Sequence, residues 1–282
     1  MGDDQQAGDV QGVAVAPVTA WLAERVPDLD PPLDVRLIAG GHSNLTFDVR
    51  DQGDGHWVLR RPPLGQVLAT AHDMGREHTI ISALAPTDVP VAPVVGLCTD
   101  ESVNGAPFYV MDFVDGTVVR DEATAASLSP EQRRTASESI VDVLAAIHAV
   151  DVDAVGLGDL GRRDGYIERQ LKRWRTQWEH SKTRELPAID EVIERLAGRM
   201  PAQQAVAIAH GDFRFGNCIT DTSTARIAAV LDWELCTLGD PLADFSYFMM
   251  SWVMEPDGRS GIKGLDWKAL DIPTIEEAVG LY

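Results

Sequence analysis

The segment His210-Gly-Asp-Phe-Arg-Phe-Gly-Asn217, followed by Leu231-Asp-Trp-Glu234, sets oxygen-bearing side chains at fixed intervals. Asp212 comes first, Asn217 five residues on, and Asp232 twenty beyond the first. Moving a γ-phosphoryl group to a hydroxyl needs one carboxylate to orient the acceptor and oxygen ligands to hold Mg²⁺ against the phosphates. Asp212 suits the first task. Asn217 and Asp232 suit the second, because magnesium takes few protein oxygens and completes its shell with water and phosphate. His210 has no neighbouring nucleophile to activate and reads as a structural brace for the loop. A metal-dependent hydrolase built on His210 and Asp212 would need more His or carboxylate ligands than the chain supplies nearby.

These residues need elements to position them. Residues 1–12, polar and Gly-rich, read as a mobile tail, and 17–26 as a helix. Residues 33–39 and 45–50 read as strands joined by the turn Gly40-Gly41-His42-Ser43-Asn44, with a third strand at 56–60. A helix at 73–84 stops before Pro86, and strands follow at 92–98 and 107–113. Helical periodicity then takes over. Ser129-Pro-Glu-Gln132 has the form of a capping box ahead of a stripe at Ile140, Val143, Leu144 and Ile147. Ile167, Leu171, Trp174 and Trp178 form a second stripe, with the tryptophans read as packing residues, and Ile189, Val192, Ile193 and Leu196 a third. Residues 226–231 read as a strand delivering Asp232, and Asp240 with Pro241 as the cap and first turn of a helix reaching Met250. Asp244, one turn in, is expected to brace the loop around Asp212.

Composition narrows the function classes. With 282 residues and 45% hydrophobic content, one large domain or two lobes can bury sizeable cores. Forty-four acidic against 24 basic residues give a net charge of −20, which opposes binding to nucleic acid or anionic membranes. Such a surface suits a cationic small molecule, or simply solubility. Cys98, Cys218 and Cys236 are scattered and imply neither a disulfide framework nor a zinc site. An acidic N-terminus and no apolar run of spanning length point to a cytoplasmic protein.

The stretch from His210 to Phe245, including Gly239-Asp-Pro-Leu-Ala-Asp-Phe245, resembles the aminoglycoside phosphotransferase and choline kinase superfamily. Its wording is most like the phosphotransferase-like domains related to those fused to acyl-CoA dehydrogenases. The resemblance implies an α+β, protein-kinase-like fold of two lobes. An N-lobe at 13–113 would carry an antiparallel sheet with a helix, and a C-lobe at 114–282 would be mainly helical. It implies an ATP- and Mg²⁺-dependent enzyme phosphorylating a hydroxyl of a small molecule. Gly40, Gly41, Ser43 and Asn44 would cover the phosphates, because glycine lets backbone N–H groups approach them. Arg60 would stand where such folds commonly carry lysine, since the first 171 residues contain no lysine, and Glu77 would hold it. Backbone groups from Met111 to Phe113 would read adenine. Arginine at position 60 keeps open a weakly active or inactive nucleotide-binding regulator. Members of this family carry further C-terminal helices lining the pocket, so the helical ending at 274–282 implies a chain that continues.

Overall fold

The computed structural model describes residues 10–39, 44–65, 73–256 and 261–282. Gly40, Gly41 and Ser43, expected over the phosphates, lie outside them. Two compact units emerge: Met1–Gly116 with Ala228–Glu234, and Thr117–Ile227 with Leu235–Tyr282.

The first unit begins with α1 (Val15–Ala23), β1 (Asp34–Ala39), β2 (Leu45–Arg50) and β3 (His56–Arg61). It continues through α2 (Met74–Leu84), β4 (Val94–Cys98), the single turn α3 (Glu101–Asn104) and β5 (Phe108–Asp112). Its five strands form one sheet in the order β1-β2-β3-β5-β4, every neighbour antiparallel. Period-two alternation decides the packing. Phe47 and Val49 on β2, Leu59 on β3 and Phe108 and Val110 on β5 join Val18, Trp21 and Leu22 of α1 in one buried cluster. Trp21 meets Phe108 edge-on at 5.0 Å. α2 packs on β4 and β5 and buries Ile80, Ile81 and Leu84. It starts where the Asp73 side chain accepts from the Arg76 N–H, satisfying one of the helix's unpaired donors. Val10 to Gly12, read from sequence as part of the tail, are tied down: the Val13 N–H reaches the Val10 carbonyl, and Arg61 reaches that of Gly12.

The second unit carries α4 (Glu122–Ala126), α5 (Pro130–Ala149), α6 (Tyr166–Ser181) and α7 (Pro187–Ala197). Then come β6 (Ala207–Ala209), β7 (Cys218–Thr220), β9 (Thr237–Gly239), α8 (Pro241–Val253) and α9 (Ile275–Leu281), while β8 (Ile227–Val230), apart from its first residue, belongs to the first unit. The capping box of α5 forms as expected, with Ser129 and Gln132 exchanging side-chain and backbone hydrogen bonds. Ile140, Val143, Leu144 and Ile147 are all buried. β6 pairs antiparallel with β9, and both α5 and α8 pack on β6. Phe213, Phe248 and Trp252 run as an edge-to-face chain, with centroids 5.9 and 5.4 Å apart.

The third stripe forms a helix as expected, but the tryptophans of α6, read as packing residues, are only partly so, with Trp178 half-buried and Trp174 exposed. Trp174 is 56% exposed, Val192 52% and Leu196 53%, and α7 buries no residue at all. Both helices are amphipathic, but their apolar faces meet mainly each other and solvent. No helix among the described residues is long and apolar enough to cross a membrane.

Candidate active site

Each unit assembles part of the predicted constellation. In the first, alternation along β3 sends adjacent arginines to opposite faces of the sheet. Arg61 turns toward the α1 side, donating to the carbonyls of Gly12 at 2.5 Å and Asn104 at 3.2 Å. Arg60 turns the other way, is buried, and donates through Nη2 to Asp232 Oδ1 at 3.2 Å. Its Nε lies 3.5 Å from Glu77 Oε2, an ion pair rather than a hydrogen bond. Glu77, 1% exposed on α2, also accepts from Asn44 Nδ2 at 2.6 Å and from the Tyr109 hydroxyl at 2.9 Å. Asn44 reaches Glu234 Oε2 at 3.4 Å as well, so its side chain braces two carboxylates.

Burial works against the charge on Arg60, but Tyr109, Glu77 and Asp232 more than offset it, and the guanidinium is held more firmly protonated than usual. Burial likewise pushes the Glu77 carboxyl up, opposed by Arg60 and by the hydrogen bonds from Tyr109 and Asn44. Asp232 sits at φ 64°, in the left-handed region that few residues other than Gly, Asn and Asp visit. Held strain of this kind clusters at working sites.

Met111 lies inside β5, paired with both β3 and β4. The Asp112 N–H donates to the Pro93 carbonyl and the Phe113 N–H to that of His56, so these two donors are engaged within the unit. The Phe113 ring stacks on His56 with centroids 3.6 Å apart.

In the second unit the loop after β6 carries Asp212. Gly211 has φ +85°, and a Cβ there would come within 3.1 Å of the Leu235 carbonyl oxygen, so the bend needs glycine. The bend is fixed from α8, where Asp244 accepts from the N–H groups of His210 at 2.8 Å and Gly211 at 3.0 Å, and contacts His148 Nε2 at 3.3 Å. Burial alone would raise the Asp244 carboxyl, but His148, the His210 ring and the His210 N–H together hold it below its ordinary value. His210 is fully buried, with the Asp212 N–H donating to its Nδ1 at 3.3 Å.

Asn217 ends a short 3₁₀ turn and donates through Nδ2 to the Asp212 carbonyl and to Asp212 Oδ2, both at 2.8 Å. Two acceptors on that side fix the amide orientation and leave Oδ1 as the oxygen that can ligate a cation. The Asp212 carboxylate also accepts from the Tyr247 hydroxyl at 2.6 Å and from Arg214 Nε, 3.3 Å from both oxygens. Among the described residues no three His, Cys, Asp or Glu side chains gather as a metal cluster.

Sequence reasoning missed Tyr109, Tyr247, Arg214 and His148. One signal was available: Tyr247 follows Asp244 by three residues on α8, so both share a helix face. The three cysteines are buried and free, and burial pushes the Cys218 thiol up, which makes it a poor nucleophile.

Comparison with known proteins agrees at three levels. Acyl-CoA dehydrogenase family member 10 of Mus musculus is 37% identical over 253 residues, covering 89% of this chain and 24% of that protein. The chain spans about a quarter to a third of the length of the first curated relatives it matches. The crystal structure of a candidate aminoglycoside phosphotransferase from Ralstonia eutropha JMP134 superposes with a TM-score of 0.83 at 40% identity, covering 94% of this chain and 78% of that one. The streptomycin–ATP complex of APH(2")-IIa shares the fold, with a TM-score of 0.61 at 16% identity over 95% of this chain and 81% of that one. The α+β architecture, an antiparallel five-stranded sheet with a helix followed by a largely helical part, is that of these kinase-like structures. A profile of one family matches residues 34–270, most of the chain, and by that match and the likeness to the Ralstonia protein the chain belongs to the phosphotransferase enzyme family, APH.

Proposed function

We propose that the chain is an ATP- and Mg²⁺-dependent phosphotransferase acting on a hydroxyl of a small molecule. The observation that carries this reading is the Asp212 carboxylate, held by Asn217 on a loop whose backbone is clamped by Asp244. Asp212 would accept the hydrogen bond of the acceptor hydroxyl and receive its proton late, because phosphoryl transfer is largely dissociative and positioning outweighs strong base catalysis. Asn217 and Asp232 would each offer an oxygen to magnesium, and an amide carbonyl with a carboxylate is the donor set that hard cation prefers. Bound Mg²⁺ supplies neutralisation of phosphate charge. Arg60 would add fixed positive charge, its orientation set by Glu77, and arginine binds phosphate oxygens bidentately. An ATP complex of the structurally similar APH(2")-IIa supports nucleotide use.

One observation favours a second reading, a nucleotide-binding regulator without turnover. Arg60 is bonded to Asp232, so a cation at that carboxylate must share it with a guanidinium. Mg²⁺-dependent ADP release, measured over aminoglycosides, amino alcohols, sugars and hydroxy acids, separates the two. Acceptor-stimulated release that falls at least about 100-fold in Asp212→Asn, with ATP affinity retained, is the expected result. Near-normal turnover of Asp212→Asn would remove Asp212 from its role, and nucleotide binding without turnover across the panel would favour the regulator.

A further inference from the structure

The mechanism above leaves unused the shortest hydrogen bond to Asp212. The Tyr247 hydroxyl donates to Asp212 Oδ1 at 2.6 Å, within the range of a charge-assisted O–H···O⁻ bond. Asn217 takes the other oxygen at 2.8 Å, and Arg214 Nε leans on both at 3.3 Å. A carboxylate offers about four lone-pair sites, so these donors leave little of Asp212 for a newcomer. Tyr247 is 41% exposed on α8, in a position to give way at modest cost, whereas Asn217 is buried and also tied to the Asp212 carbonyl. Burial, the hydrogen bond to Asp212 and its charge push the Tyr247 phenol up to about 12, so it remains an O–H donor at neutral pH.

Resting on the phosphotransferase reading, we infer that Tyr247 is an internal stand-in for the acceptor: its hydroxyl occupies on Asp212 the place the substrate hydroxyl must take, and it keeps water out of that place until the substrate arrives. An acceptor exchanges one O–H···O⁻ bond for another and so loses little by displacing the phenol. A lone water gains the same single bond without the further contacts of an acceptor, and is turned away. The suppressed reaction is ATP hydrolysis. In it, Asp212 takes a proton from a water whose oxygen bonds to the γ-phosphorus, as the bond from phosphorus to the ADP oxygen breaks and its electron pair leaves on ADP. Tyr247 therefore determines specificity for an organic hydroxyl over water.

The test is acceptor-free, Mg²⁺-dependent ATP hydrolysis by the full chain and by Tyr247→Phe, which keeps the ring and loses the hydroxyl. Tyr247→Leu is the second variant. Both are expected to hydrolyse ATP about three- to tenfold faster than the parent. The gain should vanish when Asp212→Asn is added. A structural role for Tyr247 would lower activity, not raise it. Rates at or below the parent in both variants, with Asp212-dependent hydrolysis intact in the parent, overturn this inference alone. No Asp212-dependent turnover in any of the proteins, either without acceptor or across the acceptor panel, overturns the phosphotransferase reading and this inference with it.

Discussion

Asp244 is 3% exposed and receives two backbone N–H groups and a histidine, so its buried charge is met by donors on that side. Asp244→Ala should cost roughly 3–5 kcal/mol in urea unfolding, because it strands those donors in the interior. Its carboxyl is lowered by the fold, so the linkage has a definite sign. The stabilisation is complete above the ordinary carboxyl value of about 3.9 and is lost as pH falls through the lowered one. The acid limb of thermal stability, below about pH 4, should be shallower in Asp244→Asn than in the parent. Gly211→Ala tests the bend beneath it. With φ at +85° and the Leu235 oxygen 3.1 Å from the added Cβ, we expect a loss of about 1–3 kcal/mol and a fall in turnover as Asp212 shifts. At this scale residue type and spacing set Asp212 with Asn217, and the family resemblance set Arg60 with Glu77, while the contact of Arg60 with Asp232 had no signal in the sequence. The sequence was nearly silent where a contact depends on tertiary approach. The hydroxyl of Tyr247 meets Asp212 across 35 residues of sequence, and the one local hint is its place a helical turn after Asp244.

Among the elements, caps and strand alternation were readable because they are local. The Ser129 and Asp240 caps form, and the neighbouring arginines of β3 part to opposite faces. The stripes of α6 and α7 show the limit of periodicity, which identifies an apolar face without saying what covers it. Trp174 was read as a packing residue and is more than half exposed. Trp174→Ser should therefore change the urea midpoint by no more than the equivalent of about 0.5 kcal/mol, where a core tryptophan would cost several-fold more. α6 carries another feature that composition hid. Arg162, Arg169, Lys172, Arg173 and His180 line one open cleft along this helix, a basic face in a chain of net charge −20. A global charge count averages such faces away.

For the whole molecule, the division into units follows space rather than sequence. Ala228–Glu234 belong with the first 116 residues, and they bring Asp232 to Arg60, Glu234 to Asn44, and the Val230 N–H to the Pro90 carbonyl. A fragment ending at Gly116 lacks all three contacts. It should unfold at lower urea than the same fragment with residues 228–234 joined by a flexible linker, and equal midpoints would deny those residues a part in the unit's stability. The same topology has a consequence in time. A ribosome adds roughly 5–20 residues per second, so the 111 residues from Thr117 to Ile227 delay the arrival of Asp232 by roughly 6–22 s after Gly116 is made. For that interval Arg60 lacks its Asp232 partner, and the first unit can only be finished after most of the second has been synthesised.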